Sequence, residues 1–207
     1  MAEPFPNVPA LPIGSVGRRA SGVWGAVFLL MSEASIFAYL AFSYFYFSSQ
    51  PHYGSWPPNG PPGWFYPGLQ TAVVLLGSLT IWWAHRSVAR GASGGLKIGL
   101  GVSLLLALAF VALQFLDWFH KPFAFATDPY SSFYFVISGF HLAHVVVGVI
   151  MIAVVLLWSA LGYFGPVRHV PVTVAAIYWY FVTIIWLVVL FTLDITPYFG
   201  WKPEQVL

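Results

Sequence analysis

The chain has 207 residues, of which 59% are hydrophobic and only 7% charged, against about 25% charged in an ordinary soluble domain. So few charges cannot cover a water-facing surface of this size, so the solvent must be largely lipid. The formal charge of +2, with no basic stripe, argues against a nucleic-acid partner, and the absence of cysteine removes disulfides, iron–sulfur clusters and thiolate metal sites.

The first 22 residues are polar and rich in Pro and Gly, and read as a cytoplasmic tail without a cleavable signal peptide. Arg18-Arg19 reads as a charge anchor before the first apolar stretch. Five stretches then approach the ~20 residues that a transmembrane helix needs: residues 23–47, 66–83, 96–119, 133–158 and 170–193. The expected fold is therefore an all-α bundle of five transmembrane helices, residues 23–193, in one domain, with a short tail at 194–207. Residues 50–67 are Pro-rich and predict a rigid loop, residues 91–95 a turn, and residues 121–132 and 162–171 the remaining connections. Ten Trp and eleven Tyr suit the two membrane–water interfaces.

Positive charge orients the bundle. A cytoplasmic N-terminus puts Arg18, Arg19, Arg86, Arg90, Lys97 and Arg168 inside, and leaves Lys121 and Lys202 outside. The C-terminus is then expected outside. Arg86, Arg90 and Arg168 become candidates for anchoring anionic lipid headgroups.

Ionisable residues within the membrane are rare and mark functional sites. Glu33 lies ten residues into the first stretch, ~15 Å deep at ~1.5 Å per residue. It reads as a proton-handling group, a lipid- or subunit-contacting acid, or a hydrogen-bonded structural acid. His141 and His144 are three residues apart in the fourth stretch. With Ser138 and Gly148 they follow a spacing that lines one helical face, expected to point into the bundle or at a partner helix. A carboxylate-bridged metal site needs Glu-x-x-His pairs on two helices, and bis-histidine haem needs facing ligands. Here there is one pair and one intramembrane Glu, so no metal or haem is expected in the chain. Gln114 and Asp117 lie at the end of the third stretch beside Trp118, Phe119 and Lys121, where a snorkelling, hydrated Asp117 is the favoured reading. No span is interrupted by Pro, which counts against a transporter with broken helices.

Several of these stretches resemble a known family. Phe28-Leu29-Leu30-Met31-Ser32-Glu33-Ala34 is similar to the Ser-Glu segment in the first helix of the short, five-helix bacterial form of haem–copper oxidase subunit III. Gln114-Phe115-Leu116-Asp117-Trp118 resembles that family's Gln-x-x-Glu-aromatic element, with Asp for Glu. The segment Gly139-Phe140-His141-Leu142-Ala143-His144-Val145 is close to its Gly-Phe-His-Gly-Leu-His-Val, the most specific match. Tyr178-Trp179-Tyr180-Phe181-Val182-Thr183, followed by Trp186, resembles Tyr-Trp-His-Phe-Val-Asp-x-x-Trp, with Tyr180 and Thr183 replacing His and Asp. Gln70-Thr71, Gly77-Ser78 and the Gly54-Ser55-Trp56-Pro57-Pro58 loop fit more weakly.

The resemblance implies a subunit without redox centres of its own, in a bacterial cytoplasmic membrane. It would dock beside catalytic subunit I, with subunit II and small subunits completing a proton-translocating respiratory complex. The haems and copper would lie in those partners. It also implies a cleft holding phospholipid, and support of proton uptake and oxygen access. A residue-level expectation follows: Glu33 pairs with the face carrying His141 and His144. An accessory subunit of a nitric oxide reductase, a stand-alone transporter and a metalloenzyme at the two histidines are the alternatives.

Overall fold

The computed structural model describes residues 20–50, 56–58 and 60–200. The expectations for residues 1–19, including Arg18 and Arg19, and for His52, Gly54, Ser55 and Lys202 lie outside those residues. Five helices are long and apolar enough to cross a membrane: α1 (Ser21–Ser48), α2 (Phe65–Ala89), α3 (Ser93–Phe119), α4 (Pro129–Ala160) and α5 (Val170–Leu190). A π-helical turn, Phe191–Ile195, and a short α6, Thr196–Gly200, extend α5. No strand occurs among the described residues, and the all-α membrane bundle stands.

The helix limits are set by local chemistry. Pro129 is the first residue of α4, and the Asp128 carboxylate caps it by accepting from the Ser131 backbone N–H at 2.8 Å and the Ser131 hydroxyl at 2.8 Å. Pro loses nothing at the first helical position, where its missing N–H has no partner anyway. The helix thus begins four residues before the apolar run that starts at Phe133. At the other end, α2 continues past Trp83 through His85 and Arg86 to Ala89, because charge ends the membrane span without ending the helix. Gly91, at φ +76°, makes the reversal into α3 that a side chain would strain.

Helix α5 is the centre: it packs on α1, α2 and α4, while α3 closes the ring between α2 and α4. Helix α1 lies outside that ring. It buries only Val23, Leu30, Phe37 and Tyr44, one residue every seven, so a single narrow seam contacts α4 and α5. Its other faces expose Phe28, Leu29, Met31, Tyr39 and Phe42, as lipid solvation allows.

In lipid, apolar side chains gain nothing by meeting each other instead of acyl chains, so small residues that permit close approach decide which helices pair. Gly95, Gly99, Ser103 and Ala107 recur every four residues along α3 and form such a face. A Cβ built on Gly99 would lie 2.7 Å from the Ala84 Cβ and 3.1 Å from the Thr80 carbonyl oxygen of α2. One on Gly95 would lie 2.6 Å from the Ser87 hydroxyl. The Ser103 hydroxyl, fully buried, bonds the Thr80 hydroxyl at 2.7 Å and donates to the Gly99 carbonyl at 2.8 Å. Gly99→Ala should therefore lower stability by about 1–3 kcal/mol through overpacking. Ala84→Gly in the same chain should recover part of the loss. Thermal melting in mild detergent reads both.

Candidate functional site

His144 leaves α4 towards α1. Its Nε2 lies 3.1 Å from Glu33 Oε2, and its Nδ1 lies 2.7 Å from the Phe140 carbonyl oxygen. A carbonyl only accepts, so Nδ1 carries a hydrogen. Nε2 then either receives a proton from a neutral Glu33 or, as imidazolium, donates one to its carboxylate. Glu33 is twelve residues into α1, ~18 Å along the axis. The His144 ring meets the Phe37 edge at 5.1 Å, and the Tyr178 hydroxyl donates to the His144 carbonyl at 3.1 Å. The Glu33 side chain keeps 29% of its exposure and His144 13%, so the acid borders the lipid face.

His141 behaves differently. It is fully buried between α3 and α5, its ring 5.6 Å from Phe110 and 5.3 Å from Trp186. Its Nε2–H donates to the Val182 carbonyl at 3.1 Å, and its Nδ1 has no partner. Of the face expected to meet Glu33, His144 alone does so. Three residues of helix leave two side chains about 60° apart around the axis, which here sends His144 to α1 and His141 into the ring. Ser138, expected on the same face, accepts from the Trp118 indole N–H at 3.1 Å. Among the described residues no group of three or more His, Asp and Glu side chains comes together.

The second polar region lies at the end of the bundle carrying Lys121. Asp117 is 2% exposed, not hydrated, and this corrects the snorkelling expectation. Lys121, one turn further on, reaches back to Asp117 Oδ1 at 3.0 Å, and the Tyr134 hydroxyl of α4 donates to Oδ2. The Lys121 ammonium also sits 4.7 Å from the centre of the Tyr134 ring. Two partners that are themselves covered by neighbouring chain remove the reason for the carboxylate to reach water. Gln114, buried one turn earlier, accepts from the Gln70 side-chain amide at 3.0 Å and ties α3 to α2. Tyr134 and Asp194 were not singled out from sequence. Tyr134 had no signal beyond being aromatic. Asp194 follows an apolar run, yet the π-turn keeps it 4% exposed instead of releasing it into a tail.

At the opposite end, Arg86 and Arg90 are exposed and Arg168 half-buried. Arg86 lies 5.6 Å over the Trp82 ring. His85 Nε2 meets the Thr173 hydroxyl at 3.1 Å, which joins α2 to α5 beneath these cations. In α5, Thr183 bonds the Ser78 hydroxyl at 2.7 Å and donates to the Trp179 carbonyl at 3.0 Å. Tyr180 lines an apolar groove of about 380 Å³ with Val27, Leu30 and Met31 of α1.

Two measurements follow from this geometry. A double-mutant cycle of Glu33→Gln with His144→Gln should give a coupling energy of about 1 kcal/mol, within the range for polar pairs between membrane helices. Glu33→Gln with His141→Gln should be additive to within about 0.5 kcal/mol, since the two do not touch. Tyr134→Phe should lower stability by about 1.5–3 kcal/mol, the worth of a hydrogen bond to a charged acceptor, read as a fall in melting temperature.

Residues 18–199 match the sequence model of the family described as cytochrome c oxidase subunit III. Two fish proteins named cytochrome c oxidase subunit 3 are similar over 172 residues, at 37% identity in Danio rerio and 38% in Cyprinus carpio, covering 79% of this chain. The alignment takes in 65% of each fish protein, so the chain spans just under two thirds of their length. The protein of that name in Drosophila melanogaster is 32% identical over 176 residues, covering 82% of this chain and 67% of its own length. The match runs through all five membrane helices and takes in the Glu33–His144 pair, the buried His141 and the Asp117 cluster, and the chain belongs to the cytochrome c oxidase subunit III family.

Proposed function

We propose that this chain is a non-redox accessory subunit of a respiratory haem–copper oxidase, a multi-pass protein of a bacterial cytoplasmic membrane that stabilises the catalytic subunit. Family membership supports the complex, and the commitment of both deep histidines supports the non-redox role. His141 donates to Val182 inside the ring and His144 faces Glu33 across α1, so their rings diverge and offer no shared ligand geometry. Membership of the subunit III family is the observation on which the reading rests. The haems and copper then belong to partner subunits, with subunit I as the neighbour and subunit II and small subunits completing the complex. Relatives named for cytochrome c favour it over quinol as electron donor.

Within that role, Glu33, in contact with His144 at mid-membrane depth and bordering the lipid side, is the proton-handling group. The apolar groove between α1 and α5 takes phospholipid acyl chains, and Arg86, Arg90 and Arg168 meet anionic headgroups at the end we assign to the cytoplasm.

An optical spectrum of whatever co-purifies with the tagged chain from its native membranes tests the assignment. Reduced-minus-oxidised bands of a high-spin and low-spin haem pair, together with oxygen uptake, are expected; a colourless chain that purifies alone would overturn it. Glu33→Gln should leave the complex assembled but shorten its active lifetime during turnover, and failure to assemble would make Glu33 structural. Replacing Arg86, Arg90 and Arg168 together with Gln should reduce the anionic lipid that co-purifies; unchanged bound lipid would count against the headgroup role.

A further inference from the structure

Among the described residues, the Lys121 end of the bundle carries more negative than positive charge. From α3 come Asp117 and Lys121, paired at 3.0 Å, and from the π-turn comes Asp194. Helix α4 contributes Tyr134, spent on Asp117, and Tyr130, whose hydroxyl donates to the Leu193 carbonyl at 3.2 Å. The other carboxylate of this end, Asp128, is occupied in capping α4. His120 stands at the surface, its Nδ1 beside the Leu116 carbonyl and the Tyr66 hydroxyl of α2. Two interior carboxylates thus face one ammonium.

Asp194 shows the imbalance directly. It is 4% exposed, and its Oδ1 has no hydrogen-bond partner, although it lies within electrostatic reach of both Lys121 and Asp117. The Tyr44 hydroxyl of α1, on a residue 1% exposed, lies beside Thr196 and within electrostatic reach of Asp194. A buried carboxylate oxygen left open is costly unless something fills the gap. The segment that presents Asp194 is a π-helical turn, a form that concentrates at functional sites because it re-aims side chains. Access is available: a cavity of about 310 Å³, lined by Asp117, His120, Lys121 and Tyr130, opens beneath the Gly60–Gly63 loop.

From this convergence we infer that Asp117, Asp194 and Lys121 form a site for one further positive charge, a proton or a small oxygen-ligated cation, exchanged with the aqueous phase through that cavity. Carboxylate and hydroxyl oxygens suit hard cations, and a single proton shared between the carboxylates satisfies the same charge balance. The inference is independent of which complex the chain joins.

Infrared spectroscopy and elemental analysis of the full chain, in its purified complex at neutral pH, separate the two sources. With a proton, the wild type shows one deuterium-sensitive band of an uncharged carboxyl group that is lost in Asp194→Asn. It is lost equally in Asp117→Asn, because either change leaves one carboxylate to balance Lys121. With a cation, no such band differs between the proteins, and one metal ion per chain survives desalting in the wild type and is absent from both variants. Lys121→Met adds a reading that needs neither Asn variant to fold: removing the ammonium should add a second uncharged-carboxyl band or a second bound charge. Spectra and metal content unchanged across all three variants would overturn the inference and leave Asp194 an ionised, hydrated side chain.

Discussion

Trp179 occupies space that two glycines on different helices leave open, and the arrangement of the bundle depends on that fit. A Cβ on Gly77 of α2 would lie 3.3 Å from its indole nitrogen, and one on Gly148 of α4 would lie 3.1 Å from its ring. The indole is 1% exposed and its N–H has no acceptor, a deficit tolerated because the ring must lie flat between two backbones. Since lipid gives no hydrophobic drive for helices to meet, such interlocking of a large ring with absent side chains is what makes α5 adjacent to both α2 and α4. The α2–α3 pair uses the converse device, a face of small residues on each helix and no large ring between them.

Packing of this kind brings helices together but leaves them free to slide, and polar links at successive depths fix their register. At the Lys121 end Gln70 bonds Gln114, and the Trp186 indole donates to the Thr71 hydroxyl at 2.9 Å. Towards the middle Ser78 meets Thr183 and Thr80 meets Ser103; at the far end His85 meets Thr173. All five of these links join α2 to α3 or α5. Helix α1 stands apart from this ladder. It is held by its seam of four buried residues, one every seven, with the Glu33–His144 contact beside it.

Much of this was legible in the sequence, and what was not has identifiable causes. The spans follow from runs of apolar residues, and the depth of Glu33 and its reach to the histidine face follow from helix geometry. Which histidine it reaches does not, because a turn of about 100° per residue matters only once neighbouring helices are in place. The face of Gly95, Gly99, Ser103 and Ala107 was readable from its spacing of four, but its partner face on α2, Thr80, Ala84 and Ser87, is recognisable only in contact. The start of α4 was encoded by Asp128-Pro129, a cap followed by Pro at the first position, outside the apolar run that defined the span. Asp117 and Asp194 mislead most. Each lies at the end of a span, where a carboxylate normally reaches water, and each is kept in: Asp117 by Lys121 one turn on and by Tyr134 of α4, Asp194 by the π-turn that carries it.

The departures in α5 acquire a physical sense in this setting. Family resemblance puts a His and an Asp where this chain has Tyr180 and Thr183. A carboxylate at position 183 would need a charged or multiply donating partner in the ring, whereas Thr183 faces the hydroxyl of Ser78 and its own helix carbonyl. Two hydroxyls can satisfy each other without any proton being bound or released. Tyr180 in turn borders the apolar groove beside α1, with its ring packed there and its hydroxyl buried without a partner. The middle of α5 is thus electrically silent. Outside that stretch, Glu33 meets His144 at mid-depth and Lys121 meets Asp117 at one end, with α5 supplying apolar packing between them and, in its π-turn, Asp194.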